Sequence, residues 1–85
     1  MKQFLFSVYD KKAESFSNPQ CVPSQGQALR SFSDEVNRVE KGNILNEHCE
    51  DFVFYCLGEF DTDSGDIRSF KSLVAEGSNV IVKVS

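Results

Sequence analysis

The sequence predicts an α+β domain in which a small antiparallel sheet, built in the order ββαββ with a fifth strand readable near the C-terminal end, carries one amphipathic helix on one face. Three observations point there. Phe4, Phe6 and Val8 alternate with Leu5, Ser7 and Tyr9; Ala28, Leu29, Phe32, Val36 and Val39 recur at helical spacing; and Phe52-Val53-Phe54-Tyr55-Cys56-Leu57 is an unbroken apolar run of strand length. With 85 residues, 40% of them hydrophobic and 26% charged, the chain is sized for one domain, residues 1–85. Eight Phe and two Tyr supply core volume in the absence of Trp.

Each element has its local reason. The period-two alternation from Phe4 to Tyr9, with aromatic and β-branched residues, reads as the first strand. Asp10-Lys11-Lys12-Ala13 is a tight turn, Glu14 to Ser17 a short second strand, and Asn18-Pro19 halts it because proline cannot donate to a ladder. Ser24 with Gln27 three residues on fits a capping box, so a helix is predicted from Gln25 to Val39, with Leu29, Phe32 and Val36 buried against Phe54. Arg30, Asp34, Glu35 and Arg38 then face water, and Gly42 is the expected stop because it accepts a positive φ. Residues 43–51 are polar and read as loop. Phe52 to Leu57 is the strongest strand, Asp61 to Asp66 a turn dense in turn formers, Ile67 to Phe70 the returning strand, and Val80 to Val84 the fifth.

Charge excludes several roles. Nine Lys and Arg against thirteen Asp and Glu give a net charge of −4, the wrong sign for a histone-like or genome-packaging peptide. The imbalance is local. Residues 1–42 carry Lys2, Lys11, Lys12, Arg30, Arg38 and Lys41 against Asp10, Glu14, Asp34, Glu35 and Glu40, whereas the stretch from Glu47 to Asp66 holds acids and no Lys or Arg. Any nucleic acid is therefore expected on the first half, the acidic stretch being a solvated face or a fence. No apolar run approaches the roughly 18 residues of a membrane span, and the N-terminal residues lack a signal-peptide pattern, so a soluble protein with reduced thiols at Cys21, Cys49 and Cys56 is expected.

Metal and catalytic chemistry find little support. Asp61-x-Asp63-x-Gly65 places acids as a calcium loop does, but an EF-hand needs glycine at its sixth position and glutamate at its twelfth, where this chain has Asp66 and Ser72. His48, Cys49 and Cys56 are three zinc-type ligands without a second close pair. One His, no phosphate loop and no nucleophile motif leave no catalytic residue to name, and no cofactor or metal is expected. For nucleic acid the candidates are Tyr9, Lys11 and Lys12 with Phe16 around the first turn, and Arg30 and Arg38 on the helix, cations interleaved with rings able to stack on bases.

Several strings occur together: Phe6-Ser7-Val8-Tyr9-Asp10-Lys11-Lys12-Ala13-Glu14, then Arg30-Ser31-Phe32-Ser33-Asp34-Glu35-Val36-Asn37, then Glu50-Asp51-Phe52 followed by Leu57-Gly58-Glu59-Phe60-Asp61. In this order and spacing the chain resembles, from about residue 4 to residue 67, the small nonstructural protein of gokushovirus-type microviruses, bacteriophages with single-stranded DNA genomes. Cys49 departs from it, standing where the family has proline after the histidine. The resemblance implies a non-capsid protein of the host bacterial cytoplasm, DNA-binding and linked to viral DNA synthesis. On that footing the expected partner is single-stranded DNA, bound weakly and without sequence preference, with Lys11, Lys12, Arg30 and Arg38 on phosphates and Tyr9 stacking. The competing expectation is an acidic oligomeric adaptor for viral replication or host proteins. Self-association through an exposed sheet edge is expected under either.

Overall fold

β1 (Lys2–Asp10) organises the sheet of the computed structural model, which describes residues 1–82. One edge of β1 takes β2 (Ser15–Phe16) and β3 (Gln20–Val22); the other takes β4 (Phe52–Asp61), which in turn pairs with β5 (Ile67–Glu76), all antiparallel. The first turn forms because the Asp10 carboxylate accepts the amides of Lys12 at 2.9 Å and Ala13 at 3.2 Å. Glu14 completes the reversal in the left-handed region, at φ 56°. Beyond Phe16 the ladder breaks at Ser17, whose amide still reaches the Val8 carbonyl at 2.8 Å and whose own carbonyl accepts the Ser7 hydroxyl at 2.6 Å. Ser7, only 2% exposed, is thereby satisfied.

The helix α1 (Gln25–Asn37) starts where the capping box places it, the Gln27 amide donating to the Ser24 hydroxyl at 3.2 Å. It lays Ala28, Phe32 and Val36 on the sheet face formed by Phe6, Phe54 and Cys56, and all six are buried. Phe32 stacks on Phe54 with ring centres 4.6 Å apart, and Phe54 stacks on Phe6 at 5.4 Å. This is the α+β architecture expected, with the anticipated Phe32–Phe54 contact at its centre. Leu29, expected against Phe54 as well, is only half-buried and does not pack on that core, because it lies one position round the helix from Ala28 and Phe32.

Four further expectations are corrected. The helix ends at Asn37, two residues early, and Val39 is 87% exposed, because asparagine side chains terminate it instead of Gly42. Asn43 Nδ2 donates to the carbonyls of Glu35 at 2.9 Å and Arg38 at 2.8 Å, and Asn46 Nδ2 to that of Val36 at 2.8 Å, so the orphan carbonyls are capped from the following segment. Residues 43–51 are not plain loop: they form α2 (Ile44–Glu47) and a 3-10 turn (Cys49–Asp51). An unpredicted strand, β3, pairs Phe4–Phe6, since a partner in β1 overrides the weak propensity of Gln20-Cys21-Val22.

The fourth correction concerns the C-terminal strand. Val80 closes a one-turn helix, α3 (Gly77–Val80), Ile81 and Val82 are not in a strand, and the remainder of the expected strand lies outside the described residues. The reason is a tether from α1: Asn37 donates to the Val80 carbonyl at 3.0 Å and accepts the Val82 amide at 2.6 Å. Gly77 permits α3 to press on the 3-10 turn, where a Cβ would overlap the Cys49 carbonyl. β5 meanwhile runs on to Glu76, well past Phe70.

Candidate nucleic-acid interface

Only one sheet face is covered by α1, and strand alternation decides what the other displays. Phe54 and Cys56 point into the core, so Tyr55 between them points away from the helix. Tyr55 is in register with Leu73 on β5, and Tyr9 with Phe16 across the β1–β2 turn. The rings meet: Tyr9 and Phe16 lie 4.7 Å apart, and Phe16 meets Tyr55 edge-on at 5.6 Å. Phe16 is 41% exposed and Leu73 55%, so this is an accessible aromatic surface. Lys71 of β5 lays its ammonium over it, 5.9 Å from the Phe16 ring centre and 5.8 Å from that of Tyr55.

The expected site residues divide into three groups. Tyr9, with Phe16, belongs to this cluster. Lys11 and Lys12 stand exposed at the turn beside it, next to the 3-10 turn: Lys11 Nζ donates to the backbone carbonyl of Glu50 at 3.1 Å, its amide donates to that of Asp51 at 2.8 Å, and Lys12 borders a depression with His48, Glu50 and Asp51. The helix cations stand apart. Arg38 shares a cleft of about 590 Å³ with Ser15, Phe16 and Phe52, yet its guanidinium is engaged by Glu35 and Glu40. That hydrogen bond to Arg38 holds the Glu35 carboxyl below its ordinary value and the Arg38 guanidinium above its own. Arg30 is exposed on the helix, away from the sheet.

Two members were missed from the sequence, Tyr55 and Lys71. Tyr55 sits inside an apolar run that reads as buried on both faces, and Lys71 belongs to the acidic half, which hid it from an argument based on charge segments. The signal for Tyr55 was its position between the core residues Phe54 and Cys56; Lys71, which falls at the register shift between the Cys56–Ser72 and Gly58–Ser69 pairs, gave none. The metal candidates also rearrange. Cys56 is buried in the core, and the ligands that the fold converges are His48, Glu50 and Asp51, all within 4.8 Å of one another on the surface beside the lysine turn.

Comparison with known proteins decides the lineage. Residues 3–81 match the family described as Phage ORF5 protein. The chain belongs to that family. Among relatives of the Phage ORF5 family, Protein ORF5 of Chlamydia phage 1 is 40% identical over 67 residues, covering 76% of this chain and 70% of that protein. No solved structure matches the chain. The family match extends well past the residues that carried the resemblance to microvirus proteins, through β5 and α3, so the strand that supplies Lys71 is part of the family's domain.

Proposed function

We propose that this ORF5-family phage protein binds single-stranded DNA weakly and without sequence preference on the helix-free face of its sheet, in the host bacterial cytoplasm during viral DNA synthesis. The observation that carries the reading is the exposed Tyr9–Phe16–Tyr55 cluster with Lys71 laid over it. Rings on an open sheet face offer stacking surface that every base can use, and a cation among them serves the phosphate. Lys11 and Lys12 extend the cationic side at the β1–β2 turn, while Arg38 is occupied by carboxylates and Arg30 lies outside the face.

With three cations on a single strand, the logarithm of affinity falls against log salt with a slope of about −2. Fluorescence anisotropy of a labelled oligodeoxythymidylate at low salt tests this, with Phe16→Ala as the variant. Loss of binding in the variant supports the reading. No binding by the wild-type protein at tens of micromolar supports the adaptor reading in its place, with the acidic surface around Glu47 to Asp66 as the contact.

A further inference from the structure

Among the described residues Lys71 is the cation that lies over two rings without a carboxylate partner. Lys2 and Arg68 pair with Glu59, Arg68 lying also over Phe70, Arg38 pairs with Glu35 and Glu40, and Lys11 Nζ reaches the Glu50 carbonyl, while Lys12, Arg30 and Lys41 have neither an ion pair nor a ring beneath them. No carboxylate lies within salt-bridge distance of Lys71 among the described residues; its partners are the rings of Phe16 and Tyr55. A cation held only by ring faces at an exposed site is held weakly, and a phosphate oxygen is a stronger partner for an ammonium. The ring surface that the ammonium covers is also the surface that an incoming base would stack on.

We infer that Lys71 is an exchangeable cover: an unpaired base takes its place over Phe16 and Tyr55, and the released ammonium takes a phosphate of the same strand. This rests on the DNA-binding reading and adds what the site selects. A duplex has its base faces already stacked and cannot displace the cover, while an abasic strand offers phosphate but nothing for the rings. The preferred ligand is a flexible single strand bearing bases.

The probes are an oligodeoxythymidylate of about eight nucleotides and an abasic oligomer of equal charge, a length within the usual single-strand site size. In the free protein the Lys71 ε-methylene protons resonate upfield under the ring currents of Phe16 and Tyr55. Saturation with the thymidylate returns them toward ordinary lysine values, and the abasic oligomer binds about tenfold more weakly, as loss of one stacked base implies. In Lys71→Met the preference for bases persists, and the salt slope becomes shallower by about 0.7, the share of one phosphate contact. Three results overturn the proposal: Lys71 resonances that stay upfield while the tyrosine signals respond to bound thymidylate, an abasic oligomer bound equally well, or an unchanged salt slope in Lys71→Met. The DNA reading survives the first and third of these. Absence of binding by either oligomer removes the reading and the proposal together.

Discussion

Phe32→Ala removes the ring that joins α1 to the sheet, and its cost follows from the packing. Phe32 is 4% exposed and stacks nearly parallel on Phe54, the two planes inclined by 4°, while Phe54 rests on Phe6. The sheet beneath is fixed by its ladders and cannot collapse into the gap, so the truncation loses both the transfer free energy of the ring and the contacts around a cavity, about 3–5 kcal/mol. At roughly 0.05–0.15 kcal/mol per residue, the 85 residues have about 4–13 kcal/mol in total, so the variant retains about three quarters of its stability at the upper end of that range and none at the lower end. Urea unfolding followed by circular dichroism measures this. The midpoint falls by roughly 1.5–3 M for a slope of about 1.5–2 kcal/mol/M, the slope itself unchanged. A loss below about 1 kcal/mol refutes the reasoning, because it would mean that the three-ring stack is not the joint between the layers.

Asn43→Ala strips two helix-end carbonyls of their donor and costs about 2–3 kcal/mol in the same urea assay, whereas Asn46→Ala, which frees one carbonyl, costs about 1 kcal/mol; equal costs contradict the capping assignment. The Asp61 carboxyl is held below its ordinary value, chiefly by the backbone amide of Asp63 donating to it at 2.9 Å. A depressed carboxylate stabilises the fold above its unfolded-state pKa, and that contribution is lost as pH falls through the folded value, so stability declines below about pH 4 and declines less in Asp61→Asn. An acid limb as steep in Asp61→Asn as in wild type places the loss elsewhere. Self-association is expected across β5, which has no strand partner on its outer edge among the described residues. The two register shifts against β4 interrupt that edge, so light scattering detects a dimer only at high micromolar concentration; a monomer throughout that range refutes it.

What the sequence disclosed and what it withheld divide along local and non-local lines. The Phe4–Tyr9 alternation, the Ser24–Gln27 cap and the Phe52–Leu57 run state their structure within a few residues, and so the two layers and the Phe32–Phe54 contact were legible. Elements held by distant partners were not. β3 exists because β1 offers an edge to it, α1 stops where Asn43 and Asn46 reach back to it, and Val80 is drawn into α3 beside Asn37. The candidate site follows the same rule. Tyr9 and Phe16 face each other across one turn and were readable together, while Tyr55 and Lys71 reach them only through the β1–β4–β5 register. Arg30 and Arg38 have the right chemistry for phosphate, but one stands away from the sheet and the other is neutralised by Glu35 and Glu40.

The chain contains no Trp and only two Tyr, Tyr9 and Tyr55, and both contact Phe16 in the helix-free cluster. Intrinsic tyrosine emission therefore reports on the candidate interface and nowhere else, which makes titration with an unlabelled oligodeoxythymidylate at low salt the most direct test of the central claim. Base stacking on the cluster predicts saturable quenching that tracks binding by anisotropy and disappears in Phe16→Ala. Binding that leaves the tyrosine emission unchanged would contradict the account, because the DNA would then lie on some other surface.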